Sequence, residues 1–326
     1  MIPSVRSRIV ASATAFALGF ALANYGVFMI SGPDQLLWVV AAVVLMLTGA
    51  LGIVFADTGR AVSVWSILGV EVFAIFTLLP LLWTFTIAVA PAGLAPRAVL
   101  PEGVSWSAFD GALHSGILRH AAATSVLVAG LATVVSMLLA IAAAYALVRL
   151  PVRGRRLAYG LVVAALLLPL VALAGPLADQ LMSFGVSDSR LALVPPMLLI
   201  TLPLAIWLCV TVMRDVPWSL HESVRADGAS RSQVVRRFVV PHIGPGVLVV
   251  TLLVFVVGCS DFVLGAALAA GDASRPLPAT LLLATSRVDS SSSAVAAAGL
   301  LWFLPVLALL LVFPRRITQL LGRSAR

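Results

Sequence analysis

The sequence predicts an all-α integral membrane protein, a polytopic bundle of eight transmembrane helices. Three observations predict it. Hydrophobic residues make up 61% of 326 residues and charged ones only 10%, and the mean hydropathy is +1.12, too little polar surface to cover a water-soluble globule. Eight windows free of Asp, Glu and Arg lie near or above the roughly 20 residues a spanning helix needs. The arginines, finally, are distributed very unevenly between alternate connections. Because unpaired backbone groups in hydrocarbon cost several kcal/mol each, a spanning chain must be helical or a closed barrel, and barrels alternate apolar with polar residues. These apolar runs are continuous, so helices are expected.

The first window, 9–33, follows Arg6 and Arg8 and contains Ala21-Leu22-Ala23, which imitates a secretory signal and its cleavage site. The apolar run resumes at Val27-Phe28-Met29-Ile30, long enough for the segment to stay as an anchor. The remaining windows are 35–56, 72–96, 121–148, 157–178, 191–213, 243–260 and 290–314. Asp261 interrupts the seventh, whose apolar run continues to Ala270. One or two windows as buried or re-entrant segments is the open alternative. Stretch 91–119, with Pro91, Pro96, Pro101 and Gly103, is expected to be an irregular loop leading into a short helix over 107–118. Stretch 271–293, with Pro276, Pro278 and serines 290 to 293, is expected to be a turn-rich loop.

The chain has 21 arginines and no lysine. With the N-terminus inside, eight helices place sixteen of them on one face: Arg6, Arg8, Arg60, Arg149, Arg153, Arg155, Arg156, Arg214 and eight more through Arg326. Arg97, Arg119, Arg190, Arg275 and Arg287 fall on the other. By the positive-inside rule the rich face is cytoplasmic, as are both termini. The formal charge of +8 is then topology, and nucleic acid is not an expected partner. Cys209 and Cys259 fall inside expected spans, where a cysteine behaves as a small apolar residue.

The loop 214–242 carries the densest helix signals. Pro217 follows the sixth span. Ser219-Leu220-His221-Glu222 fits a capping box, in which the serine and a glutamate three residues later satisfy two free backbone donors. Gly228 suits the left-handed turn that ends such a helix. Ser230-Arg231-Ser232-Gln233 offers a second box, and Val234, Val235, Phe238 and Val239 give a helical stripe before Pro241 stops it. The loop reads as helix, glycine turn, helix.

Catalytic signals are lacking: the sequence has no Gly-rich phosphate loop ending in Lys, no paired His on a helix and no Gly-x-Ser-x-Gly elbow. Without lysine a P-loop is excluded. His114, His120, His221 and His242 fall in loops or at helix ends, so no metal site is expected.

Glu222-Ser223-Val224-Arg225-Ala226-Asp227-Gly228-Ala229-Ser230, followed by Arg237-Phe238-Val239-Val240-Pro241, resembles the signature loop of permease subunits of binding-protein-dependent ABC importers. Further pieces fall in the order of the sugar-transporting branch of that family. They are Leu79-Pro80-Leu81-Leu82-Trp83, Ala143-Ala144-Tyr145-Ala146-Leu147-Val148-Arg149, Gly154-Arg155-Arg156, Leu202-Pro203-Leu204-Ala205-Ile206-Trp207-Leu208 and Arg315-Arg316. The resemblance covers about 70–326 and departs at three places. Ser223-Val224 replaces the usual Ala-Ala, Cys259-Ser260-Asp261-Phe262 stands where the sugar branch has Trp-Asn followed by an acid, and two helices, 1–56, precede a six-helix core, 57–326.

The resemblance implies a type I, MetI-like importer in a bacterial cytoplasmic membrane, surrounded by lipid. Two permease subunits, identical or different, work with two cytoplasmic ATPase subunits that bind ATP and Mg and with an external solute-binding protein. This chain binds no cofactor. Coupling to the ATPase is then expected at Glu222, Ser223, Val224, Ala226, Asp227, Gly228, Ala229 and Pro241. The bland alternative is a solvated connector in which Glu222 merely caps a helix. Candidates for a solute path are Asp261, Ser260 and Trp207, with an interhelical hydrogen bond or a helix end as the other role for Asp261. Glu71 is expected near the inner interface. Asp179 and Gln180 could line an outer vestibule or close a helix. The expected solute is a sugar or sugar derivative. The alternatives are a polyamine, phosphonate or metal complex carried by the same machine, a non-transporting scaffold or sensor, and a stand-alone ion-coupled carrier.

Overall fold

A computed structural model of the chain describes residues 12, 14–19, 21–22, 38, 41–46, 48, 64–91, 103–151, 153–186, 189–214, 240–269, 271–285 and 292–312. Its regular elements are helical: α1 (Val64–Val89), α2 (Ser107–His114), α3 (Gly116–Arg149), α4 (Arg155–Leu166), α5 (Leu170–Ser183), a 3₁₀ turn (Arg190–Leu193), α6 (Val194–Arg214), α7 (Val240–Ser260), α8 (Val263–Leu268), α9 (Leu277–Thr285) and α10 (Ser292–Val312). The chain divides into two compact units, Met1–Ala112 with Asp289–Leu300, and Leu113–Val288 with Leu301–Arg326.

Among the described residues, three helical stretches are long and apolar enough to cross a membrane, Gly116–Arg149, Arg190–Arg214 and Ile243–Ser260. The bent pair α4 and α5 makes a fourth if counted as one span, and the described parts of α1 and α10, Phe76–Val89 and Ser292–Ala308, are apolar but shorter. An all-helical membrane fold therefore stands. The described residues carry three or four of the eight expected spans.

In the first unit, Gly19 lies against the residues at 42 and 46. A Cβ on Gly19 would sit 2.7 Å from the Met46 backbone nitrogen and 2.8 Å from the Ala42 carbonyl oxygen. Only glycine allows that approach, the device by which membrane helices gain contact where no hydrophobic force drives them together. After α1, the Ser105 amide donates to the Val89 carbonyl at 2.8 Å. Trp106 packs between Phe85 (6.3 Å, edge-on) and Phe109 (5.5 Å).

The second unit is organised by α3. Two rows at four-residue spacing are buried: Ala121, Ser125, Ala129, Thr133, Met137, and Thr124, Val128, Ala132, Ser136, Ala140, Ala144. Nearly all are small, so α6 and α7 pack closely, while Leu127, Leu131, Val134 and Leu138 are exposed on α3. Met137, Ala140 and Ala144 join Ala205, Cys209, Val210 and Met213 of α6 and Ile243, Val250 and Val254 of α7 in one cluster. A second cluster joins Val128 and Ala132 to Leu193, Met197, Leu264 and Leu268. Cys209 and Cys259 are free thiols in the packed interior.

Three expectations are corrected. The single span at 157–178 is two helices bent by 88°. Proline cannot donate and disfavours helical geometry in the residue before it, and Pro169, at the N-cap of α5, breaks the run after Leu168. The turn-rich loop at 271–293 contains α9, whose second residue is Pro278, a place where proline starts a helix at little cost. The short helix at 107–118 ends at His114 because Ser115 caps α3, its hydroxyl accepting from the Leu118 amide at 3.3 Å.

Candidate functional site

The residues expected to couple, Glu222, Ser223, Val224, Ala226, Asp227, Gly228 and Ala229, lie outside the described residues. Both roots of their loop are described. Arg214 ends α6 and Val240 begins α7, with Pro241 second in that helix, in the first turn where no amide is needed. Met213 and Ile243 are both buried in one cluster with Val210 and Val212. The loop therefore leaves from, and returns to, one packed base.

Arg149, the last residue of α3, reaches across to that base. Its Nη2 donates to the Met213 carbonyl at 3.0 Å. The last four carbonyls of a helix lack partners within it, and a cation near that end also meets the negative pole of the helix dipole. Arg149 thus ties the end of α3 to the end of α6. Beside it, the Arg214 guanidinium sits 5.3 Å from the Tyr159 ring centroid, a cation–π distance. Arg155, Arg156 and Arg214 line a cavity of about 330 Å³ with Leu147, Val148, Tyr159 and Val210.

The far end of this unit is held differently. The Arg190 Nε donates to the Ala273 carbonyl at 3.0 Å, and its Nη2 meets the His120 imidazole. Arg275 pairs with Asp272. The Leu277 amide, at the start of α9, donates to the buried Ser125 hydroxyl at 2.8 Å.

Asp261 falls just past the end of α7. Its Oδ2 accepts from the Leu264 amide at 3.1 Å, serving α8 as a capping carboxylate. The Ser260 hydroxyl donates back to the Val256 carbonyl at 2.8 Å. Trp207, 41% exposed, is on α6. Gly258 is level with Thr201, since a Cβ on it would lie 3.6 Å from the Thr201 methyl. With 1.5 Å of rise per residue, Trp207 and Asp261 are then about 13 Å apart along the bundle. The structure brings Ser260 and Asp261 together but not Trp207. Asp179 and Gln180 lie within α5, and Gln180 gives its carbonyl to the helix-closing Phe184 amide and to the Ser183 hydroxyl.

Sequence reasoning did not single out Arg149 or the arginine-lined cavity as functional. The local cue was present in Gly154-Arg155-Arg156, where Gly154, at φ 78°, takes the left-handed turn that starts α4. The pairing of Arg149 with a carbonyl 64 residues away has no local signal.

Comparison with known proteins bears on this geometry. Residues 136–323, containing α6, the 214–242 loop and α7, match the family model described as binding-protein-dependent transport system inner membrane component. The trehalose transport system permease protein of Mycobacterium tuberculosis is 28% identical over 82% of this chain and 98% of its own length. The sulfoquinovosyl glycerol transport system permease protein of Agrobacterium fabrum is 30% identical over 60% of this chain and 68% of its own. A solved bacterial ABC transporter involved in import of the acidic polysaccharide alginate has a chain of like fold, with TM-score 0.61 and 19% identity, covering 77% of this chain and 95% of that one. With its loop, its spans and more than half of its length matched, the chain belongs to the binding-protein-dependent transport system inner membrane components, the permease subunits of ABC importers.

Proposed function

We propose that the solute is a sugar or sugar derivative, delivered by an external binding protein and passed through this chain and a second permease subunit, identical or different. Two separate cytoplasmic ATPase subunits bind ATP and Mg and drive the cycle, and this chain carries no cofactor. What supports the sugar reading most is the alignment with the trehalose permease, which runs through 98% of that protein.

In this reading the arginine-rich end, with Arg149, Arg153, Arg155, Arg156 and Arg214, faces the cytoplasm of a bacterium, and both termini lie there too. Glu222, Ser223, Val224, Ala226, Asp227, Gly228, Ala229 and Pro241 form the coupling element. A push on it reaches α6 and α7 through the packed base at Met213 and Ile243, because packed elements move as rigid bodies. Ser260 and Asp261 belong to the solute path as the fixed break between α7 and α8, with Trp207 a second contact further in. Residues 1–56 are an addition to a transport core at 57–326.

Co-purification tests the assembly. Co-expressed with an ABC ATPase subunit and a second permease subunit from its own organism, the tagged chain is expected to retain both in mild detergent. Purification of a stable chain that captures neither subunit would contradict it.

A further inference from the structure

We propose that the arginine-lined cavity between the ends of α3, α4 and α6 binds the phosphate headgroup of an anionic phospholipid. Three arginines, Arg155, Arg156 and Arg214, line one cavity of about 330 Å³. Arg155 and Arg156 also line a neighbouring one with Leu150, Pro151 and Gly154. Among the described residues no ion pair involves any of the three, and like charges around one cavity favour an anion among them.

The chemistry of the walls selects a lipid over a free ion. Leu147, Val148 and Val210 line the same cavity as the arginines. On α4, Val163 lies about one turn beyond Tyr159 and two beyond Arg156 on the face that lines the cavity, and it is 36% exposed. A phosphodiester on the arginines can thus lay its acyl chains against Leu147, Val148, Val210 and Val163, with Tyr159 lining the same cavity. Basic pockets between helices at the cytoplasmic surface are suited to anionic headgroups. The inference uses the orientation proposed above but not the identity of the solute.

The test is lipid retention by the full-length chain, purified with its co-expressed partner subunits and counted by native mass spectrometry. Phosphatidylglycerol is expected to be held about tenfold or more tighter than phosphatidylcholine, a preference lost in the double variant Arg155→Gln, Arg156→Gln. Because the charge carries the effect, Arg155→Lys with Arg156→Lys is expected to keep most of the preference. Equal retention of the two lipids in the unmodified chain would overturn the proposal, as would a preference untouched by the glutamine pair. Release of the lipid by millimolar inorganic phosphate would assign the cavity to a free anion and overturn it too. Loss of the ATPase subunit from the glutamine variant, with lipid preference intact, would give the arginines to a protein partner and have the same force.

Discussion

Ser136 on α3 donates a buried hydrogen bond of 2.8 Å to Thr201 on α6. The direction follows from the rest of the network, since the single Thr201 hydroxyl proton goes to the Met197 carbonyl at 3.0 Å. The contact pins the two helices that share the most extensive small-residue face of the unit. Interhelical hydrogen bonds in membranes average about 0.6 kcal/mol and reach about 1.7. Ser136→Ala is therefore expected to lower the detergent unfolding midpoint only slightly. Ser136→Leu, which replaces the hydroxyl by three carbons between α3 and α6, should cost about 1–3 kcal/mol by overpacking and reduce the folded fraction in size-exclusion profiles.

α3 and α7 approach closely at Gly258, where an added Cβ would lie 3.2 Å from the Ala129 Cβ. Gly258→Ala is expected to destabilise the chain measurably, and Ala129→Gly to restore part of the loss when combined with it. The double-mutant coupling should exceed about 0.5 kcal/mol, since residues in direct contact do not behave additively. Additive unfolding midpoints would place the two helices further apart than described.

Much of the membrane architecture is legible in the sequence because hydrocarbon leaves few options. The windows 121–148, 191–213, 243–260 and 290–314 fall within five residues at each end of α3, α6, α7 and α10. A window of apolar residues does not register backbone geometry, however, so Pro169 passed unnoticed inside the run that it bends by 88°. The reverse happened at Pro276 and Pro278, read as turn signals although proline in a first turn is compatible with the helix that follows. The solute-path candidates met a different limit. Ser260 and Asp261 are neighbours by sequence, whereas the axial offset of Trp207 depends on how α6 and α7 are aligned.

Arg149 joins the end of α3 to the root of the 214–242 loop, and a hydrogen bond involving a charged group is worth about 1.5–3 kcal/mol. Arg149→Met is expected to leave the chain in the membrane, since many buried contacts hold α3 elsewhere. Solute-stimulated ATP hydrolysis in liposomes should fall several-fold. Arg149→Lys should recover part of it, because the ammonium keeps the charge but not the planar fork.

Gly228 lies outside the described residues, and its role rests on the two capping boxes that flank it. A side chain in the left-handed region costs about 1–2 kcal/mol, little against the energy that holds the helices in the bilayer. Gly228→Val is expected to insert normally and to lose most uptake or ATPase stimulation. Normal uptake at matched membrane levels would leave the loop as a connector.

An ATP-driven importer of sugars should reveal itself by accumulation in sealed liposomes that contain the complete complex, with ATP inside and the binding protein outside. Labelled trehalose, maltose, diacetylchitobiose and a polyamine are offered in turn. At least one of the sugars is expected to accumulate against its gradient only with ATP and binding protein present, and the polyamine is not. ATP-dependent accumulation of the polyamine with no accumulation of any sugar would contradict sugar import.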